Sequence, residues 1–91
     1  MLITTDGNFK LTQQTQINAI SSVVYVSGTL GAATVAITYL DDQGNFIPLT
    51  DGTVTAAGQY AVDHGYPMQL FLSVSGADET TNIAVTTTSK G

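Results

Sequence analysis

The 91 residues predict an all-β fold: a small antiparallel β-sandwich or jelly-roll-like barrel built from repeated hairpins. Three observations carry this. Apolar residues alternate with polar ones at period two in runs rich in valine, isoleucine and threonine. Clusters of glycine and aspartate punctuate those runs at short intervals, with no sustained helical period between them. And one stretch occurs twice. Residues 26–38 read V-S-G-T-L-G-A-A-T-V-A-I-T, and residues 74–86 read V-S-G-A-D-E-T-T-N-I-A-V-T. Shifted by 48 positions they match without a gap at Val26/Val74, Ser27/Ser75, Gly28/Gly76, Val35/Ile83, Ala36/Ala84, Ile37/Val85 and Thr38/Thr86. Each copy reads as the end of one strand, a Ser-Gly turn and the start of the next.

Residues 2–5 (L-I-T-T) and 9–12 (F-K-L-T) flank Asp6-Gly7-Asn8, and Asp-Gly between short β-prone runs is a hairpin signal. Residues 1–18 are therefore expected to form an edge hairpin or an N-terminal arm lying on a neighbour, and 19–91 the sandwich domain. Residues 13–18 are amide-rich and read as a linker or an irregular edge strand. In 19–27, Ile20, Ser22, Val24 and Val26 share one face, and Val23 and Tyr25 the other. In 34–40, Val35, Ile37 and Tyr39 oppose Thr34, Ala36 and Thr38. Asp41–Gly44 is a turn, and Pro48 in the following strand requires an edge or a bulge because it has no N–H. Asp51-Gly52 is expected to reverse the chain again, and 53–55 with 59–63 to make a second small hairpin. Residues 66–75 repeat the first pattern, so Met68, Leu70, Leu72 and Val74 align with Ile20, Ser22, Val24 and Val26. The predicted core is Val24, Val26, Val35, Ile37, Leu70, Leu72, Val74, Ile83 and Val85, with Tyr39, Phe46 and Tyr60 closing its ends.

A chain of this length is one domain with a thin core. Small domains compensate with disulfides, a metal or oligomerisation. Cysteine is absent, so disulfides and thiolate metal sites are excluded, and the single histidine, His64, argues against a histidine-based zinc site within one chain. Oligomerisation or attachment to a larger surface remains. Seven acids stand against two lysines, with no arginine, for a net charge of −5. Lys10 and Lys90 cannot neutralise a phosphate backbone or an anionic bilayer, which argues against nucleic-acid and membrane-surface binding. No run reaches the roughly 18 apolar residues of a membrane span, and the first residues lack the pattern of a signal peptide. Only 10% of residues are charged, against a typical ~25%, so much of the surface is small and neutral.

Candidate chemistry is sparse. His64 follows Asp63, but neighbours in a strand point to opposite faces and no nucleophile motif accompanies them, so a turn histidine is expected. Asp41, Asp42, Asn45 and Asp51 are oxygen donors close in sequence, yet they lack the order of a calcium loop, and two Asp-containing turns explain them. Gly28 and Gly31 precede no helix and read as turn glycines. No catalytic residue, cofactor or metal is expected. Val23, Tyr25 and Phe71 stand out because they face away from the predicted core. Val23 and Phe71 are equivalent in the repeat and are expected to present apolar groups at one height. With Leu2, Ile3 and Phe9 of the arm they form the candidate partner interface.

The ordered set G-T-L-G-A-A-T-V-A-I-T-Y (28–39), D-D-Q-G-N-F-I-P-L (41–49) and G-T-V-T-A-A-G-Q-Y (52–60) resembles small all-β virion proteins of tailed bacteriophages, over about residues 20–87. In those a G-x-[WFL]-G-x-A-x-V-x-[LI] hairpin leads to a D-x-G-x-[WF]-x-x-[LV] turn-strand and a T-A-x-G-x-[YF] turn. Leu30 and Phe46 stand here where aromatics and tryptophan are commoner. The resemblance implies a structural virion protein of the head decoration (cement) type. Such a protein is made in the host cytoplasm, sits on the capsid surface, binds the major capsid protein and forms a homo-oligomer, with a trimer favoured. The alternative is a tail, fibre or host-surface (glycan) recognition module. Exposed coplanar rings among Tyr25, Tyr39, Tyr60 and Tyr66 would favour that alternative.

Overall fold

The alternating runs form eight strands: β1 (Leu2–Ile3), β2 (Gly7–Lys10), β3 (Ser21–Thr29), β4 (Thr34–Leu40), β5 (Phe46–Val54), β6 (Gly58–Asp63), β7 (Leu70–Ser75) and β8 (Asn82–Lys90). The computed structural model describes residues 2–11, 21–65 and 69–90. Readings that concern 13–18, Ile20, Tyr66 and Met68 lie outside those residues. The strands make two four-stranded antiparallel sheets, sheet A in the order β1-β8-β3-β6 and sheet B in the order β2-β7-β4-β5. β1 pairs with β8, β2 with β7, β3 with β6 and β4 with β5. The chain is thus one long antiparallel ribbon, doubled at the β4–β5 turn and then rolled. Rolling brings β3 beside β8 and β4 beside β7. That is jelly-roll connectivity in a two-layer sandwich, without closure into a barrel.

The expected repeated hairpins are corrected by this topology. β3 belongs to sheet A and β4 to sheet B, so the first Val-Ser-Gly copy is an arch that crosses the core; β7 and β8 make the reverse crossing. Residues 2–10 and 53–63 are crossings as well, and among the described strands β4–β5 is the one consecutive pair in a common sheet. The two copies clasp each other. The first strand of one lies against the second strand of the other, through Val26↔Val85 in sheet A and Val35↔Val74 in sheet B. The N-terminal segment is neither a hairpin nor a free arm over its described part. β1 and β2 are edge strands of the two sheets.

All nine predicted core residues are buried, joined by Ile3, Leu11, Val54 and Val62. Tyr60 packs on this core, and its hydroxyl is hydrogen-bonded to both the N–H and the C=O of Ala56. Phe46 does not close an end. It meets Phe71 edge-on, with centroids 5.0 Å apart and planes at 83°. Asp51-Gly52 does not reverse the chain either. β5 runs on from Phe46 to Val54, and its register against β4 jumps between Thr38↔Pro48 and Ala36↔Thr53. Residues 49–52 bulge out, with Asp51 at φ 62°. Pro48 sits on this edge strand next to the bulge, as its missing donor requires.

At one end of the sandwich the arches are tied together by carboxylates. Asp6 accepts the N–H groups of Gly76 (3.3 Å) and Ala77 (2.7 Å). Asp78 accepts from Ala32 N (3.1 Å), Thr80 N (2.9 Å) and Thr80 Oγ1 (2.7 Å), so it joins the second arch to the first. Thr81 Oγ1 donates to Leu30 O at 3.0 Å across the same junction. The hydroxyl and N–H of Thr80, and then the N–H of Ala32, hold the Asp78 carboxyl below the ordinary carboxylate range. A depressed folded-state pKa contributes stability above the unfolded value of about 3.9 and loses it as pH falls through the folded value. Asp78→Asn is therefore expected to be less stable than wild type near neutral pH. The gap should close as urea midpoints are followed downward through pH 4. A gap that stays constant with pH would mean that the carboxylate charge contributes nothing.

Candidate functional site

Two outward faces result, one per sheet, and they divide the predicted interface. On sheet A, Val23 and Tyr25 of β3 point away from the core. Tyr25 lies opposite Gln59 of β6 and Thr86 of β8, and Val23 opposite Ala61 and Thr88. Leu2 of β1 lies opposite Ala84, which in turn pairs with Ser27. Tyr25, Ser27, Gln59, Ala84 and Thr86 line a shallow groove of ≈ 310 Å³. Leu2 is 66% and Tyr25 39% exposed, two of the three exposed large hydrophobic residues among those described. The third, Leu40 at 47%, ends β4 in the other sheet. Among the described residues no charged side chain lies across the centre of the sheet A face; Asp63 stands at its margin, at the end of β6.

Phe71 is on sheet B, so it faces the opposite side of the molecule from Val23 and Tyr25. The two positions are equivalent in the repeat, but they do not form one patch. Ile3 is not an interface residue: it is 1% exposed and belongs to the core. Phe9 also turns inward and packs on the core. Of the six predicted residues, Leu2, Val23 and Tyr25 are brought onto one face. Ala84, Thr86, Gln59 and Ala61 complete that face and were missed, because strand alternation identifies outward residues without saying which strands are neighbours.

The outer face of sheet B has a different character. Ser73 Oγ donates to Asn8 Oδ1 at 2.5 Å and lies 2.8 Å from Thr38 Oγ1, a hydroxyl chain running across β2, β7 and β4. Thr38 is buried although it points outward, in a neighbourhood that includes Phe71 directly opposite it on β7 and Pro48 on β5. Asp6, Asn8, Thr34, Phe46, Pro48 and Ser75 help to line a groove of ≈ 430 Å³ there. The described tyrosines do not make a platform: Tyr25 faces out of sheet A, Tyr60 packs on the core, and Tyr39 lies half-buried on β4.

His64 leaves the strand at a bend with Gly65, as expected, but it is not a surface turn residue. It follows β6 directly, is buried, and places Nε2 3.0 Å from Ser22 Oγ. Asp63 beside it faces solvent, so the pair is not a carboxylate-oriented base. Ser22 is completely buried and has no access for a substrate, which makes this contact a hydrogen bond within the core. The signal was present in the repeat, where Ser22 occupies the inward position held by Leu70 in the second copy. Asp41 caps its own turn, accepting from Gln43 N (2.9 Å) and Asn45 N (2.8 Å). The Asn45 N–H, foremost, holds its carboxyl below the ordinary range. Among the described residues no group of three or more histidine, aspartate or glutamate side chains could hold a metal ion, and no helix is long and apolar enough to cross a membrane.

No protein-family model, curated protein or solved structure matches the chain.

Proposed function

We propose that the protein is a structural component of a virion, a bacteriophage head decoration protein that docks on the major capsid protein through the outer face of sheet A. The observation that carries this reading is that face itself. Leu2, Val23, Tyr25, Ala61 and Ala84 span it with only neutral polar residues between them. Burying such a surface exposes no charge to desolvation. Two further points support it. The motif order resembles small phage virion proteins, and the jelly roll is an architecture of viral capsid and lectin domains, although a fold alone does not assign a function. Many copies on one shell would turn individually modest contacts into strong attachment.

Heads lacking the protein are expected to assemble but to release DNA at lower temperature, or on chelation of divalent ions. Added protein should restore them, and a folded Tyr25→Lys variant should not. Unchanged head stability together with lost host adsorption would overturn the assignment in favour of a tail or fibre role. The groove on sheet B, with Phe46 beside the hydroxyl and amide groups of Asn8, Thr34 and Ser75, favours that second reading, as a host-surface glycan module.

A further inference from the structure

Among the described residues, three of the four sheet edges are guarded and one is open. β1 offers two residues, too few to template a partner. β2 offers four and carries Lys10. β5 contains Pro48 and is broken by the bulge at 49–52. β6 has no proline, no lysine and no bulge. Its register against β3 is unbroken from Ser21↔Asp63 to Val26↔Gly58. Among the described residues no strand pairs with its other side. An edge strand presents a row of unpaired N–H and C=O groups, and natural sheets blunt such rows unless another chain uses them.

We propose that β6 is a self-association edge. Two copies pair their β6 strands antiparallel about a two-fold axis at Ala61, which joins their sheets A into one continuous sheet. The occupant is a second copy because the strand is complementary to itself. In an antiparallel pair directly opposite residues share a face. On β6, Tyr60 and Val62 turn inward, and Gln59, Ala61 and Asp63 outward. A two-fold at Ala61 sets Tyr60 opposite Val62, both on the core side. It sets Gln59 opposite Asp63, an amide donor against a carboxylate, with no like charges facing. Ala61 meets itself, the smallest outward side chain at the closest point. A two-fold at Tyr60 would instead oppose two rings whose hydroxyls are each anchored at Ala56, and would leave Val62 against Gly58. The contact is isologous and closes on itself.

One strand pair buries less than the roughly 1,200 Å² of a standard interface, so association depends on concentration. Each chain carries a net charge of −5, so added salt strengthens it by screening. None of this rests on the virion reading, and it differs from the trimer which the resemblance implies.

The chain has no cysteine, so a single introduced one reports unambiguously. Opposed residues of an antiparallel pair lie about 4.5–5.5 Å apart at Cα, within disulfide reach. Under mild oxidation Ala61→Cys is expected to give a covalent dimer, and Gln59→Cys alone none. An equimolar mixture of Gln59→Cys and Asp63→Cys chains should cross-link. Sedimentation of the unmodified protein should show a monomer–dimer equilibrium that shifts to dimer with salt. Ala61→Lys should be monomeric, with unchanged circular dichroism and the thermal midpoint that the unmodified protein shows when dilute enough to be monomeric, because Ala61 is exposed. A trimer mass, a monomer at every concentration, or equal cross-linking by Ala61→Cys and Gln59→Cys would overturn the proposal. Because these measurements use free protein, their failure leaves the capsid-docking result standing, and the reverse also holds.

Discussion

Gly28→Ala is expected to cost more stability than any other single added methyl group on an exposed residue of this chain. Gly28 has φ +94°, in the region L-residues avoid, and a Cβ there would lie 2.1 Å from the carbonyl oxygen of Asn82. That oxygen belongs to β8, whose Ile83 is the register partner of Gly28, so it cannot move without opening the β3–β8 pairing. Backbone strain of about 1–3 kcal/mol adds to a steric term of about 1–3 kcal/mol. Folded domains have only about 5–15 kcal/mol in total. The damage falls where the first arch leaves sheet A, so both arches lose their mutual clasp. Gly44→Ala is the matched control. Its φ is +85°, yet nothing lies within 4 Å of the added atom. It should lose only the left-handed strain, about 1–2 kcal/mol. Urea denaturation of the two variants measures the difference. Equal losses would mean that the approach of Asn82 O is relieved at no cost.

Gly28 also marks the limit of what the sequence could reveal. Period-two alternation assigns each residue of a strand to an inward or outward face, and it did so correctly for all nine core positions. It carries no information on which sheet the strand joins. A four-residue connection such as 30–33 suits a hairpin as well as an arch. The choice is made by tertiary contacts: the left-handed backbone at Gly28 and Gly31, and the Asp78 carboxylate that holds Ala32. For that reason the 48-residue repeat gave the right core and the wrong connectivity. The same gap undid the predicted interface. Val23 and Phe71 are equivalent by register, but the arches send their strands to different sheets and their side chains to opposite faces. Leu2, Val23 and Tyr25 remained together because their strands, β1 and β3, flank β8 in one sheet. Ile3 was misassigned for a different reason: a two-residue strand is too short to show a period, so only its pairing with Ile83 reveals that it points inward.

Ile37→Ala is expected to cost about 2–5 kcal/mol, the range for truncating a fully buried large aliphatic side chain. Ile37 is completely buried at the centre of β4, opposite Leu72 of β7. On its other side it occupies the gap in register where β5 bulges. A Cβ on Gly52 would lie 2.8 Å from Ile37 O and 3.3 Å from Ile37 Cβ, so the bulged backbone rests directly on this residue. Removing the side chain leaves a cavity and withdraws the support of residues 49–52. Val85 is the repeat equivalent of Ile37 but stands in β8, which pairs with β3 in an unbroken register from Ser21↔Lys90 to Thr29↔Asn82. Val85→Ala deletes fewer atoms from a continuous ladder and should cost less. The two variants therefore separate packing from repeat position. Urea midpoints should rank Ile37→Ala well below Val85→Ala. Amide hydrogen exchange at residues 49–53 should accelerate in Ile37→Ala and stay near wild type in Val85→Ala once global stability is matched. Equal acceleration in both would mean that the bulge is held by the sheet as a whole and not by Ile37.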